Sequence, residues 1–426
     1  MTRSLRLQVK LTLLSVIAAA IAGLGLPITM ALRYEELGCL ARGHTNVAAV
    51  AFSYRGTYIA TAGVTDCTVC VWRVTDQKRL HTVRTSTVVL SIEWLSQRED
   101  IFVIGTQGGA ISTVHIELDT LNVKGFWAHR HPIEHLSASG SWLASGAKAS
   151  VAIWQSRDEH KTWKHLQDLP QPTSSLLNED SEILVTSLHW TTRGGHGRFL
   201  LPIGITLTIL TSIFNTGDWS IVRNIPLPGV IAHSSVSPDG RTIAISNMLS
   251  GFDLYDLESQ AVLRSFTHPV DMLRAVPVKF VHGGYALLGG STAGIVHLWN
   301  VHNGHVHQKF SLGASSSVMA IDVSCHILDM LNTWRIELDA QANYDAASNR
   351  FLIAAGISDG HIAVPVTIWV ARDIGRREAP IGRRLLWPSL GIAFVAIPVI
   401  VLWFPDWTPL HELFPMAREH AYNMLS

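Results

Sequence analysis

The feature that most constrains this chain is a turn-punctuated pattern of short alternating strands that recurs roughly every 40–45 residues. The stretch 43–72 reads GHTNVAAVAFSYRGTYIATAGVTDCTVCVW. It holds a Gly-His pair, an alternating strand, a Tyr-Arg-Gly turn, a second strand, a Thr-Asp turn and a third strand that ends in Trp72. Val, Ile, Thr and aromatic residues at period two are what half-buried sheet requires. A strand-ending aromatic or His falls at Trp72, His115, Trp154, Phe214, Tyr255, Trp299 and Trp369, at intervals of 43, 39, 60, 41, 44 and 70 residues. The strings SPDG at 237–240, HGG at 282–284 and SDG at 358–360 supply residues suited to tight hairpins. Seven such units fit between residues 33 and 371. A sheet protein of this kind avoids exposed edges by closing the series on itself.

These motifs resemble the WD40 repeat family over about four-fifths of the chain. The best match is the first unit, where Gly43-His44, Thr61, Asp66 and Trp72 are similar to the family's buried His–Ser/Thr–Asp–Trp hydrogen-bond network. The resemblance implies an all-β fold, a seven-bladed WD40-type β-propeller closed by an N-terminal strand and carrying flanking hydrophobic helices. Trp154, Trp299 and Trp369 take the structural Trp position in later units. Elsewhere the pattern departs from the family: Arg73 follows Trp72, Tyr255-Asp256 replaces Trp-Asp, and Asn300 follows Trp299. In this family the first strand supplies the outermost strand of the last blade, and residues 33–41 stand where it should be, with Arg33 expected beside Ala371.

The expected organisation is a basic region at 1–10, a hydrophobic helix at 11–32, the propeller at 33–371, an Arg-rich linker at 372–384, a transmembrane helix at 385–404 and a tail at 405–426. The run 385–404 has no charged residue and is long enough to cross a roughly 30 Å hydrocarbon core. Arg372, Arg376, Arg377, Arg383 and Arg384 precede it, so the positive-inside rule orients the propeller to the cytosol, on an endomembrane such as the ER. Residues 11–32 read either as a second membrane helix or as a secretory signal with an Ala20-Ile21-Ala22 cleavage site, which would make the propeller lumenal. An insertion in the last unit, 324–344, spaces Ile327, Leu331, Trp334 and Leu338 on one helix face.

Little in the chain points to catalysis. Gly356-Ile357-Ser358-Asp359-Gly360 matches GxSxG, yet it stands between two strands rather than at a strand-to-helix turn. Ser145-Gly146-Ala147-Lys148 matches SxxK without its partner motifs. His302, His305 and His307 flank a turn with no nearby acid or thiol to complete a metal set, and Cys67 and Cys70 have no second pair. The expectation is a non-enzyme with no cofactor and no metal. With a formal net charge of zero and no basic stripe, nucleic acid is a poor partner.

Other proteins or peptides are the expected partners, together with the membrane through 385–404 and, where 11–32 is read as a second membrane helix, through 11–32. The family presents a top face built from blade junctions and second-to-third-strand turns, and Arg84, Gln107, Arg130, His131, Lys148, His268, Asp271 and Asp359 map there. The reading is a membrane-anchored interaction scaffold or adaptor that presents this face to cytosolic partners. By architecture alone, an ER-anchored exchange-factor-like propeller acting on a small GTPase in vesicle trafficking is a second reading.

Overall fold

Each repeat unit folds as consecutive antiparallel hairpins. In the first, Val47–Phe52, Tyr58–Gly63, Thr68–Arg73 and Lys78–Arg84 pair in chain order. Middle strands are apolar throughout because neighbouring sheets cover both their faces: Ile101–Thr106 (IFVIGT) is buried at every position. Outermost strands such as Lys78–Arg84 are largely exposed, and their sequences turn polar accordingly. The computed structural model describes residues 32–44, 46–117, 120–158, 160, 162–170, 183–193, 196–205, 208–228, 233–270, 274–312, 317–324, 351–358 and 364–373. Among them the strands form seven antiparallel sheets, six four-stranded and one five-stranded. The fifth strand arises in the fourth sheet because its inner strand is interrupted: Ile183–Val185 and His189–Arg193 both pair with His196–Ile205.

The apolar core is divided between the sheets. Ile104 of the second sheet packs with Val69 of the first, Phe199 of the fourth with Ile153 of the third, and Trp299 of the sixth with Phe252 of the fifth. Ile368 of the last sheet packs with Val47, Ile59 and Trp72 of the first, so the series of sheets closes on itself.

The inner strands are stitched across the sheet boundaries by hydrogen bonds. Trp94 Nε1 donates to the Ala51 carbonyl of the preceding inner strand at 2.9 Å, and Trp190 Nε1 donates to that of Ser137 at 3.1 Å. Ser91 Oγ donates to Ile133 O at 2.9 Å, and Phe280 N donates to Ser235 Oγ at 3.0 Å. At the closing seam Asp322 accepts the Phe52 amide at 2.6 Å through one oxygen and pairs with Lys279 through the other. One carboxylate thus joins the sixth, seventh and first sheets.

Closure is made by Leu32–His44, the outermost strand of the last sheet, paired antiparallel with Val364–Asp373. The register puts Tyr34, not Arg33, opposite Ala371, and Arg33 opposite Arg372. The expected pairing is therefore out by one residue. The reason is that the last strand continues past its apolar run, since ladder hydrogen bonds use only backbone. Arg372 accordingly belongs to a strand, not to a linker. Tyr34 also reaches the sixth sheet: its amide donates to Gln308 Oε1 at 3.0 Å, Gln308 Nε2 donates back to Tyr34 O at 2.7 Å, and its hydroxyl meets His282 Nε2 at 3.0 Å.

Among the described residues no helix is long and apolar enough to cross a membrane. The apolar runs 11–31 and 385–404, the arginines Arg376, Arg377, Arg383 and Arg384, and insertion residues 325–350 lie outside the described residues. Asp322→Ala removes the acceptor of a buried amide and the partner of Lys279, and should cost about 2–3 kcal/mol. Asp322→Asn, which keeps an acceptor for Phe52, should cost less. Chemical denaturation midpoints of the two variants check the order.

Candidate interaction face

The four residues singled out in the first unit converge on one buried network. His44 Nδ1 lies 2.7 Å from Asp66 Oδ2, His44 Nε2 lies 3.0 Å from Thr61 Oγ1, and Trp72 Nε1 donates to the same hydroxyl at 3.1 Å. One side-chain oxygen thus holds two rings from different strands. Gly63 makes room for this arrangement, because a Cβ there would stand 2.4 Å from Asp66 Oδ1 and 2.6 Å from His44 Nδ1. Burial opposes charge on His44, but Cys70 and Asp66 outweigh it and raise its pKa above 6.5.

A second network has the same form with other residues. In the third sheet His129 Nε2 lies 2.7 Å from Ser145 Oγ, to which Trp154 Nε1 donates at 2.8 Å, while Ser150 Oγ takes the place of the carboxylate at 3.5 Å from His129 Nδ1. Ser145, the serine of the SxxK string, is fully buried here as a structural acceptor. In the sixth sheet the pattern changes again. Gly289 pairs with His297 and Leu287 with Trp299, which leaves no hydroxyl at the central position. Trp299 instead stacks on His297 with ring centroids 5.0 Å apart, and His297 stacks on His268 at 6.0 Å. Trp369 is buried beside Phe310 at 5.1 Å.

These networks stand beside turns and junctions that carry exposed polar residues. The turn carrying Gln107 is held on one side by Thr87, whose Oγ1 accepts the Gly108 amide at 3.1 Å. On the other side Gly109 O accepts the amides of Ala128 and His129. Gly109 adopts φ +82 and abuts the His129 carbonyl so closely that a Cβ would stand 2.0 Å from it, so only glycine joins this turn to the next link. Arg84, Gln107, Arg130, His131 and Lys148 are all exposed along this line. Lys148 sits at φ +54 in its turn, and its carbonyl accepts the Val185 amide of the fourth sheet at 2.8 Å. Trp127, opposite Ala110 in the ladder, is 69% exposed at the same edge.

One expected contact is overturned. His268 is buried, because it stacks on His297 and packs against Phe252 while its Nδ1 meets the Pro269 carbonyl at 2.9 Å; it is a core residue of the junction. Asp271 and Asp359 lie outside the described residues.

The inner strands carry the titratable groups Glu93, His135, His189, Lys279 and Asp322, and His233 immediately precedes the fifth of them. Enclosure by protein raises the Glu93 carboxyl to about 7, although the Ala138 amide and Lys279 oppose this. Enclosure lowers His135 to about 4, and enclosure plus neighbouring cations lowers His189 and His233 to about 3. Unfolded histidine titrates near 6.5, so below that pH the unfolded chain binds more protons at these three sites. Stability should therefore fall as pH drops from about 6.5 towards 4. Glu93 acts oppositely: its folded form takes a proton near 7, which favours folding as pH falls from 7 to about 4.5. His44, with a raised pKa, contributes stability below 6.5 that is lost as pH rises. Denaturation across pH 4.5–7.5 should show an acid limb that His189→Gln makes shallower by about one proton.

Comparison with known proteins adds one match. The WD40 family model (WD domain, G-beta repeat) matches residues 36–73, from the closing strand through Arg73, and so contains the whole His44–Thr61–Asp66–Trp72 network. No curated protein matches the chain. A WD40 repeat at 36–73, set among four-stranded antiparallel sheets, fits a WD40 propeller.

Proposed function

We propose that this chain is a seven-bladed WD40 propeller that serves as a membrane-anchored protein-interaction scaffold, without catalysis of its own. The observation that carries the reading is the series of exposed residues at successive turns and junctions, Arg84, Gln107, Arg130, His131 and Lys148, with the exposed Trp127 on the neighbouring strand end. It spans junctions and turns of three consecutive sheets, each braced from beneath. A rigid aromatic beside several cations is the composition of an interface anchor. The excess of Arg and Lys favours a partner segment bearing carboxylates or phosphates.

The chain flanks support the tether. Leu32 and Asp373 are paired, and they stand at the end of the last sheet away from the turn between Leu352–Ser358 and Val364–Asp373. Both flanks carry long apolar runs. A membrane held at that side leaves the basic face turned to the cytosol, as the arginines before residue 385 suggest.

The Arg130→Glu, Lys148→Glu double variant should fold with an unchanged circular dichroism spectrum and lose the proteins labelled in proximity experiments with the intact parent. Retention of the same labelled set would remove this face as the binding surface. Protease protection of tagged termini in sealed vesicles tests the tether, and protection of the sheets themselves would reverse the orientation.

A further inference from the structure

On the outermost strands, one ladder position changes character from sheet to sheet. It is the residue opposite the aromatic or His that ends each third strand. In the first three sheets it is Arg79 opposite Trp72, Asn122 opposite His115 and His165 opposite Trp154. In the next three it is Ile221 opposite Phe214, Val262 opposite Tyr255 and Val306 opposite Trp299, and in the seventh it is Glu36 opposite Trp369. Val222 and Leu263 follow directly, and Tyr285 stands in the link between the first two strands of the sixth sheet. These six apolar and aromatic residues are between 42% and 56% exposed. Bonds from each sheet to the next make the positions neighbours: Arg223 Nη2 donates to Glu258 O at 3.1 Å, Arg264 Nη2 to His302 O at 2.8 Å, and Gln308 Nε2 to Tyr34 O at 2.7 Å. Tyr285 O accepts the Val301 amide at 3.0 Å, and its ring lies 5.5 Å from that of His302. The apolar positions thus follow one another along a rim that runs on to the closing strand, where Tyr34 faces Ala371 and Leu32 faces Asp373.

We propose that this rim of the fourth to sixth sheets rests in the surface of a zwitterionic lipid bilayer; the inference deepens the membrane-tether reading above and rests on it. A single exposed Val or Ile on an outer strand is ordinary. A run of them on three adjacent sheets, with polar residues at the same ladder position in the other four, marks a contact. The place of the rim selects lipid as its occupant. It adjoins Leu32 and Asp373, the described residues nearest the apolar runs 11–31 and 385–404. Residues 374–384 span at most about 40 Å even when fully extended, so a bilayer that holds 385–404 is presented to the rim at high effective concentration. Tyr285 supplies an amphipathic ring of the kind that settles at the headgroup level. Charge on the rim itself gives anionic lipid no advantage. The guanidinium groups of Arg223 and Arg264 are turned to backbone carbonyls of the next sheet, and the turns between carry Asp218, Asp256 and Glu258. The first three sheets, polar at this position, then stand clear of the lipid, so the cycle of sheets is tilted on the bilayer.

The test reconstitutes the full chain in phosphatidylcholine vesicles with an environment-sensitive fluorophore on Leu263→Cys, Val306→Cys or Asn122→Cys, in a background where Cys39, Cys67 and Cys325 are serine. A blue shift and quenching by spin-labelled lipid are expected at the first two positions and neither at the third. Salt at about 0.5 M, which screens charge beyond a few ångströms, should leave both signals in place. Absent quenching at 263 and 306, equal quenching at 122, or quenching that needs phosphatidylserine or vanishes in salt overturns the proposal. Burial of the probes without quenching by lipid marks a second copy or another protein as the occupant, and overturns it as well. Resistance of the chain to alkaline extraction reads the tether separately. An integrated chain with unquenched probes sinks the rim contact alone, whereas an extractable chain whose probes are still quenched on vesicles sinks the tether alone. Circular dichroism checks the fold, and Ile221→Cys replaces either rim position should labelling there disturb it.

Discussion

Pairing between the first strand and the last is the constraint on which the rest depends. Leu32–His44 comes from the start of the repeats and completes the sheet that ends them, so the two ends of the repeat series share one ladder. Without it Val364–Asp373 would present an open edge, and the last sheet would lose Tyr34 and Leu40 from its two flanking cores. The strand does more than fill an edge. Through Tyr34 and Gln308 it fastens the seventh sheet to the sixth, and its C-terminal end delivers His44 to the first. Non-local closure of this kind makes every sheet's packing conditional on the whole cycle, in contrast to an open repeat array whose stability grows unit by unit.

Within that cycle, buried polar groups set the geometry that apolar contacts alone leave loose. A hydroxyl that receives an indole N–H and meets an imidazole fixes the relation between two strands and the link above them, and each group would be costly if left unmatched. The first and third sheets achieve this with Thr61 and Ser145. The sixth replaces the hydroxyl with stacked rings, His268 on His297 on Trp299, and keeps the indole buried by a different interaction. Divergent repeats thus retain one shape through unlike chemistry.

Much of this was legible in the residues, and what escaped had specific causes. The alternation in 43–72 and the Gly-His, Asp66 and Trp72 spacing located the first network residue by residue. The string SIEW at 91–94 recurs as SLHW at 187–190, and in both the Trp donates to the preceding inner strand. That short repeat is weak along the chain, because only Ser and Trp are shared and both units lack the strand-ending Trp of the first. His268 was misplaced because a Thr-His-Pro junction looks like an exposed link, whereas stacking partners from separate strands bury it.

By itself the sequence determined that the chain is built of short antiparallel strands in repeated units, since period-two patterning and turn residues act over a few neighbours. It also located the first unit, because Gly43-His44, Asp66 and Trp72 stand at spacings similar to those of the WD40 repeat. Only the tertiary structure decided which distant groups share a space. Phe52, Lys279 and Asp322 look unrelated along the chain and meet only because inner strands of successive sheets are placed side by side. The one-residue register of closure was likewise decided there, since backbone hydrogen bonds, blind to side-chain identity, extend a ladder wherever two strands run antiparallel within reach.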